Sequence, residues 1–220
     1  MLDVHFQVDG AEPDQAAAAP LMRFQLRITE SLAVDSSPTP IHAIALRCQI
    51  RIEPARRYYV PDEQERLLDL FGTPERWGRT LRPLLWSHAS VVVPPFTMST
   101  TVDLPVPCGY DFSLAATKYF DSLEGGEIPL CFLFSGTIFY ENADGRLQVA
   151  QILWDKEAYY RLPAVTWKAL MALHFSGSSW LCLPKDLFNR LSQYKSRRGF
   201  PTLDQALETL LAVESELAAP

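Results

Sequence analysis

Residues 44–52 of the chain read IALRCQIRI, and this stretch decides the fold class. Apolar side chains occupy every second position, and mostly polar ones lie between them. Because successive side chains of a β-strand point to opposite faces, one face of this segment is apolar and the other is wet. Such alternation is typical of an antiparallel sheet that packs one face on a core. We therefore predict a half-buried antiparallel strand that ends at Pro54.

The same criteria predict strands on both sides of this segment. The stretch 128–140 is the most hydrophobic of the chain and is predicted to be a central strand. Residues 142–145 (NADG) read as a hairpin loop that follows it. We expect a mainly antiparallel sheet of about seven to eight strands in all. Further strands are predicted at 2–8, 21–28, 84–93, 97–106 and 147–154.

Helices are predicted in the middle and in the last third of the chain. A short helix is expected at 61–71, where Asp62 can cap the first turn and Glu65 can complete a capping box. From residue 162 the apolar residues adopt helical spacing, as at Trp167, Leu170 and Met171.

Strands that precede helices in this way indicate the α+β class and not a doubly wound α/β fold. We expect a single domain over residues 1–220, with a β-rich part at 1–155. The helical part at 162–217 is expected to pack on the same core.

Composition and charge exclude several classes of protein. The chain has 220 residues, a hydrophobic content of 48% and a formal net charge of −6, and both halves carry an acidic excess. A nucleic-acid-binding surface requires a strong basic excess, so nucleic acid is not expected as a partner. The sequence lacks an apolar run long enough for a membrane span. The four cysteines form no CxxC pair, and the N-terminal residues do not read as a signal peptide, so we expect reduced thiols and a cytoplasmic location.

No catalytic motif is present in the sequence. The phosphate-binding patterns GxxxxGK[ST] and GxGxxG, the zinc motif HExxH and the nucleophile elbow GxSxG are all absent. No catalytic residue, metal site or cofactor is therefore predicted. Many enzymes lack a short signature, so enzymatic activity stays open, although the sequence favours a non-enzymatic role.

A segment rich in arginine and tryptophan is the first candidate site. Arginine and tryptophan dominate protein interfaces, and arginine clusters suit partners that carry carboxylates. A solvated face with ion pairs is the alternative interpretation. The candidate partner-binding residues are Arg56, Arg57, Arg76, Trp77, Arg79 and Arg82.

A pocket between the sheet and the C-terminal helices is the second candidate. His88 is in phase with Trp86 on a predicted strand, so both side chains are expected on one face. An acid on a neighbouring strand, such as Asp103, could orient the imidazole for acid–base chemistry. Tyr110 would complete this alternative pocket.

Four segments resemble a bacterial family without an assigned function, mainly actinobacterial and encoded near uptake nickel–iron hydrogenase genes. They are IHAIALRCQIRIEPARRYY (41–59), RLLDLFGTPERWGRTLRPLLW (66–86), VDLPVPCGYDF (102–112) and GEIPLCFLFSGTIFY (126–140). The resemblance implies a context in hydrogen metabolism and no mechanism.

The sequence contains no histidine-rich tract for nickel and no paired CxxC motifs for iron–sulfur clusters. The resulting expectation is a non-enzymatic accessory, assembly or partner-binding protein. Its protein partner would be a hydrogenase subunit or a maturation factor. The alternatives are a small-molecule-binding domain or enzyme that uses the second candidate site, and a structural subunit that associates with copies of itself.

Overall fold

The structure, a computed structural model, describes residues 2–31, 37–109, 114–142, 144–177 and 183–217. The chain divides into two compact units, Met1–Gly177 and Ser178–Pro220. The described part of the first unit contains eight strands and several helices, and the described part of the second is helical. The predicted α+β class, with mainly antiparallel strands and helices in the C-terminal part, is confirmed.

The strands form two antiparallel sheets. The smaller sheet has the order β1–β2–β5. In the larger sheet β4, β3 and β6 are neighbours, and β7 and β8 both pair with β6. The strands are β1 (Val4–Pro13), β2 (Leu21–Glu30), β3 (Ile41–Ile52), β4 (Leu84–Val93), β5 (Ser99–Pro107), β6 (Glu127–Glu141), β7 (Leu147–Gln151) and β8 (Glu157–Pro163).

The apolar faces of the two sheets pack against each other. Phe24 of β2 is fully buried, and its ring lies edge-on to the rings of Trp86, Phe132 and Tyr160 in the larger sheet. Phe6 stacks on Phe134 with ring centroids 4.3 Å apart. These contacts are those of a sandwich whose inner faces interdigitate. The outer face of each sheet remains available to solvent.

Helices occupy the connections and the C-terminal part. Two 3-10 turns, Pro54–Arg56 and Pro74–Arg76, precede α1 and α3 respectively. In the second unit α6 contacts α7, and Leu191 and Ala206 are buried. The helices are α1 (Pro61–Arg66), α2 (Leu68–Phe71), α3 (Trp77–Thr80), α4 (Leu114–Asp121), α5 (Ala164–His174), α6 (Lys185–Arg198) and α7 (Leu203–Leu217). No helix within the described ranges combines the length and apolar character that a membrane crossing requires.

Two local expectations differ from the structure. Strand β8 was not predicted, because the sequence before Pro163 has no clean alternation. The capping residues also differ: α1 begins at Pro61, and the carboxylate of Glu63 accepts a hydrogen bond from the backbone N–H of Val60 at 3.4 Å. Asp62 and Glu65 are exposed instead. The packing of all C-terminal helices on one core with the sheets stays a prediction.

Candidate functional site

An ion pair of low exposure organises the first candidate site. Arg57 donates from Nη2 to both carboxylate oxygens of Glu63 at 2.9 Å, and the two side chains are only 9% and 3% exposed. The guanidinium also donates to the backbone carbonyls of Tyr58, Gly125 and Glu127. These bonds engage Arg57 within its own fold, so its side chain is not presented to a partner.

Glu63 connects segments that are distant in the chain. Besides Arg57, its carboxylate accepts a hydrogen bond from the backbone N–H of Glu124 at 2.9 Å. It therefore joins the start of α1 to the turn before β6. Since a buried carboxylate is costly unless it is paired and hydrogen-bonded, this set of partners explains how Glu63 is accommodated.

Trp77 is the second anchored residue of the predicted set. Its indole N–H donates to the carbonyl of Gly72 at 2.9 Å. Its ring lies edge-on to Tyr59 and Phe71, with centroids 5.2 and 6.5 Å away. The half-buried indole therefore fixes α3 on the loop before it.

The hydroxyl groups of Tyr59 and Tyr119 extend this aromatic cluster. They lie 2.9 Å apart, and Tyr59 also donates to the carbonyl of Pro54 at 2.7 Å. Burial raises the pKa of Tyr59 well above its usual value and raises the pKa of Tyr119 to about 12. Both phenols are therefore neutral at physiological pH and act as hydrogen-bonding structural groups.

Three of the predicted cations form an exposed group, which we call the arginine surface: Arg76, Arg79 and Arg82. All three are exposed, and within the described ranges none has an ion-pair partner. Arg82 donates from Nε to the carbonyl of Arg79 at 3.0 Å. The neighbouring acid, Glu75, is engaged by the Thr73 side chain, whose hydrogen bond lowers the Glu75 pKa.

Arg56 completes the predicted set and is also exposed. Its guanidinium lies over the ring of Tyr159, 4.1 Å from the centroid. A guanidinium that stacks in this way keeps its outer edge free for a carboxylate. The predicted residues thus separate into two anchors, Arg57 and Trp77, and four exposed cations.

The described residues of the alternative pocket do not come together. Trp86 is only 5% exposed and packs in the core against Phe120 and Trp167. His88 is exposed on the outer face of the larger sheet. Asp103 is exposed on the smaller sheet. Tyr110 lies outside the described residues.

A register shift explains the separation of Trp86 and His88. Leu85 pairs with Arg51, but Ser87 pairs with Ile50, so Trp86 is an extra residue in β4. A bulge of this kind changes which face the following side chains occupy. The period of two therefore fails between Trp86 and His88, and a pocket that contains both side chains is not formed.

The structure reveals a depression that the sequence did not identify. It lies on the outer face of the larger sheet and has a volume of about 480 Å³. The alternation of β3 gave a partial signal, because it placed Arg47 and Gln49 on the wet face. Its lining includes Arg47, Gln49, His88, Ser90, Leu133 and Ser135.

The described cysteines are not suited to nucleophilic chemistry. Cys48, Cys108 and Cys131 are buried free thiols. Burial raises the pKa of each, in the case of Cys108 to about 12, so they are protonated at neutral pH. Cys182 lies outside the described residues. Within the described part of the chain, no group of three histidine, cysteine or acidic side chains could hold a metal ion.

Comparisons with known proteins yield a family without a mechanism. A protein-family model described as "Family of unknown function (DUF6084)" matches residues 1–219. No curated protein matches the chain significantly. A solved late embryogenesis abundant (LEA) protein is 12% identical, with a TM-score of 0.31 over 74% of this chain and 73% of its own. A beta-glucosidase from Kluyveromyces marxianus is 9% identical, with a TM-score of 0.25 over 73% of this chain and 15% of its own. At these scores neither structure assigns a fold or a function.

Proposed function

The chain belongs to DUF6084, a family of unknown function, and we propose its role from the properties of its surface. The proposed role is that of a non-enzymatic accessory protein that binds an acidic patch of a partner protein. The arginine surface would make the contact. The observation that carries this proposal is the presence of three exposed guanidinium groups without an ion-pair partner in the described ranges.

Some other arginines of the molecule are paired with acids. Arg23, Arg27 and Arg66 each lie within 4.0 Å of at least one carboxylate. The chain as a whole is acidic, with a formal net charge of −6, whereas Arg76, Arg79 and Arg82 form a local group of cations without an ion-pair partner in the described ranges. Such a group repels itself until an anionic surface neutralises it, which favours binding to carboxylates.

The anchoring of α3 supports the same role. The indole of Trp77 is fixed by its hydrogen bond to Gly72 and by its aromatic neighbours. The backbone that carries Arg76 and Arg79 is therefore positioned before a partner arrives. Preorganisation lowers the entropy cost of association, so more of the interaction energy appears as affinity.

The partner that we propose is a subunit or a maturation factor of a nickel–iron uptake hydrogenase. The resemblance of residues 41–59 and 66–86 to an actinobacterial family encoded near such genes motivates this choice. We also propose a cytoplasmic location, which suits the buried free thiols of Cys48, Cys108 and Cys131. Association between copies of the chain stays a separate proposal, for which light scattering is the test.

Quantitative affinity capture from hydrogen-grown cells of the native host tests the proposal. The variant with Arg76→Gln, Arg79→Gln and Arg82→Gln should recover about tenfold less hydrogenase-related protein, at about 0.5 kcal/mol for each exposed ion pair lost. The matched control replaces three other exposed arginines, Arg190, Arg197 and Arg198, by glutamine. Equal recovery with both variants would contradict the arginine surface as the contact.

A deletion strain tests the identity of the partner separately. If the chain assists a hydrogenase, its loss should lower the amount or the activity of that enzyme during growth on hydrogen. Wild-type hydrogenase level and activity would remove the hydrogenase as partner, and the capture result for the arginine surface would still stand.

A further inference from the structure

We propose that the outer face of the larger sheet holds a binding site for a small organic anion that bears a carboxylate or phosphate group. Arg47 would provide the charged contact, and Ser90 and Ser135 would provide hydroxyl groups on either side of it. This inference does not depend on the arginine surface, which involves different residues.

The register of the sheet brings these groups together. Arg47 of β3 pairs with Ser90 of β4 and with Ser135 of β6, so the three residues form one row across the sheet. Gln49, two residues further along β3, occupies the next row between His88 and Leu133. Side chains of paired residues on one face lie about 5 Å apart, which is within reach of a single small ligand.

Small side chains around Arg47 create the hollow. Serine occupies both cross-strand positions, and a long side chain there would fill the space above the sheet. The resulting volume of about 480 Å³ falls in the range of about 300–1,000 Å³ that is typical of small-molecule sites. A second hollow of about 210 Å³, lined partly by Ala45 and Val92, also borders Arg47. It offers apolar surface for the uncharged part of an organic ligand.

The positive charge of Arg47 has no ion-pair partner among the described residues, which favours an anionic ligand. On the smaller sheet, Arg27 lies 2.7 Å from Asp9 and Arg23 lies 2.9 Å from Glu12. Those arginines also point outward from an inner strand, yet each has a carboxylate. Among the described residues, no hydrogen bond or ion pair connects the Arg47 guanidinium to another side chain.

An acid in the neighbouring row of this face limits where the anion can bind. Glu157 of β8 pairs with Leu133, in the same row as Gln49. Its carboxylate accepts a hydrogen bond from the Tyr159 hydroxyl at 3.0 Å. The anionic group is therefore expected on the Ser90 side of Arg47, away from Glu157. Carboxylates and phosphates can each accept two parallel hydrogen bonds from the forked donors of a guanidinium.

Amide chemical shifts of the full chain test the site. Titration with citrate, and separately with inorganic phosphate, at constant ionic strength should give saturable shifts at the amides of Gln49, Ser90 and Ser135. Constant ionic strength removes general screening as a cause. Saturation by citrate alone would assign a carboxylate ligand, and saturation by phosphate alone would assign a phosphate ligand.

Substitutions at the site test which side chains bind the anion. Arg47→Gln should weaken binding at least tenfold, while Arg27→Gln, the control on the smaller sheet, should leave it unchanged. Ser90→Leu keeps the guanidinium but fills the hollow, and it should also weaken binding. The inference is overturned if neither anion gives saturable shifts, or if Arg47→Gln and Ser90→Leu both keep wild-type affinity with a native amide spectrum.

Discussion

At the scale of single residues, Glu63 is a buried polar side chain that joins separate segments of the first unit. It is almost fully buried and accepts hydrogen bonds from Arg57 and from the backbone of Val60 and Glu124. Removal of one member of a buried pair leaves the other charge without compensation. Loss of the Glu63 charge would therefore leave the Arg57 guanidinium as an unpaired charge in a site of low exposure.

We expect Glu63→Gln to lower the free energy of unfolding by about 3 kcal/mol, because Arg57 then keeps its charge in a site of low exposure without a counterion. Equilibrium unfolding in urea measures this change. The control is Asp62→Asn in the same helical turn, where the side chain is exposed, and it should stay within about 0.5 kcal/mol of wild type. Equal stability of both variants would mean that the ion pair does not support the fold.

At the scale of elements, the close approach of β3 and β6 depends on Gly136. This residue has a φ of +147°, and a Cβ atom there would lie 2.1 Å from the carbonyl oxygen of Ala45. Backbone atoms of a central strand cannot move aside without breaking their ladder. Glycine at this position is therefore required by the pairing of two neighbouring strands and not by a turn.

We expect Gly136→Ala to destabilise the protein by at least about 2 kcal/mol, since overpacking against backbone forces the strands apart. Thermal unfolding followed by circular dichroism measures the loss. Gly78→Ala is the matched control: Gly78 lies in α3, and an added Cβ would meet no atom within 4 Å. Alanine is the better helix former, so this variant should be neutral or more stable by up to about 1 kcal/mol. A Gly136→Ala protein as stable as Gly78→Ala would contradict the steric argument.

At the scale of the whole molecule, the main hydrophobic core belongs to the first compact unit. The buried residues of this core run from Val4 to Met171 and include the inner faces of both sheets. The two outer faces differ in how the arginines of their inner strands β2 and β3 are paired. The smaller sheet carries arginines paired with acids, whereas Arg47 on the larger sheet has no such partner among the described residues.

A chain that ends at Gly177 should keep a cooperative thermal transition and a native-like β-sheet signal in circular dichroism. The reason is that the residues of the core cluster all precede this position. The full chain, measured at the same concentration, is the reference. Loss of the transition on truncation would contradict this expectation and would favour the original prediction that the C-terminal helices share the core.

Sequence reasoning was most successful where the structural signal is local. The 44–52 strand and the hairpin at 142–145 follow from side-chain alternation and turn residues, and both lie where β3 and the β6–β7 connection occur. It was least successful at Trp86 and His88. Their common face was inferred from a period of two, but the register shift opposite Ile50 and Arg51 interrupts that period.

The sequence by itself determined the class of the fold and the wet and dry faces of β3, because hydrophobic periodicity is a property of neighbouring residues. Only the tertiary structure decided that the strands divide into two packed sheets and that Arg57 is an anchor bound to Glu63. It also decided that Arg47 faces a hollow between two serines. Arg57 and Glu63 lie close in sequence, but their ion pair is also hydrogen-bonded to the backbone of the distant turn at Glu124 and Gly125. The two sheets and the hollow likewise depend on residues brought together from distant parts of the chain, and the register of the paired strands sets the distances between them.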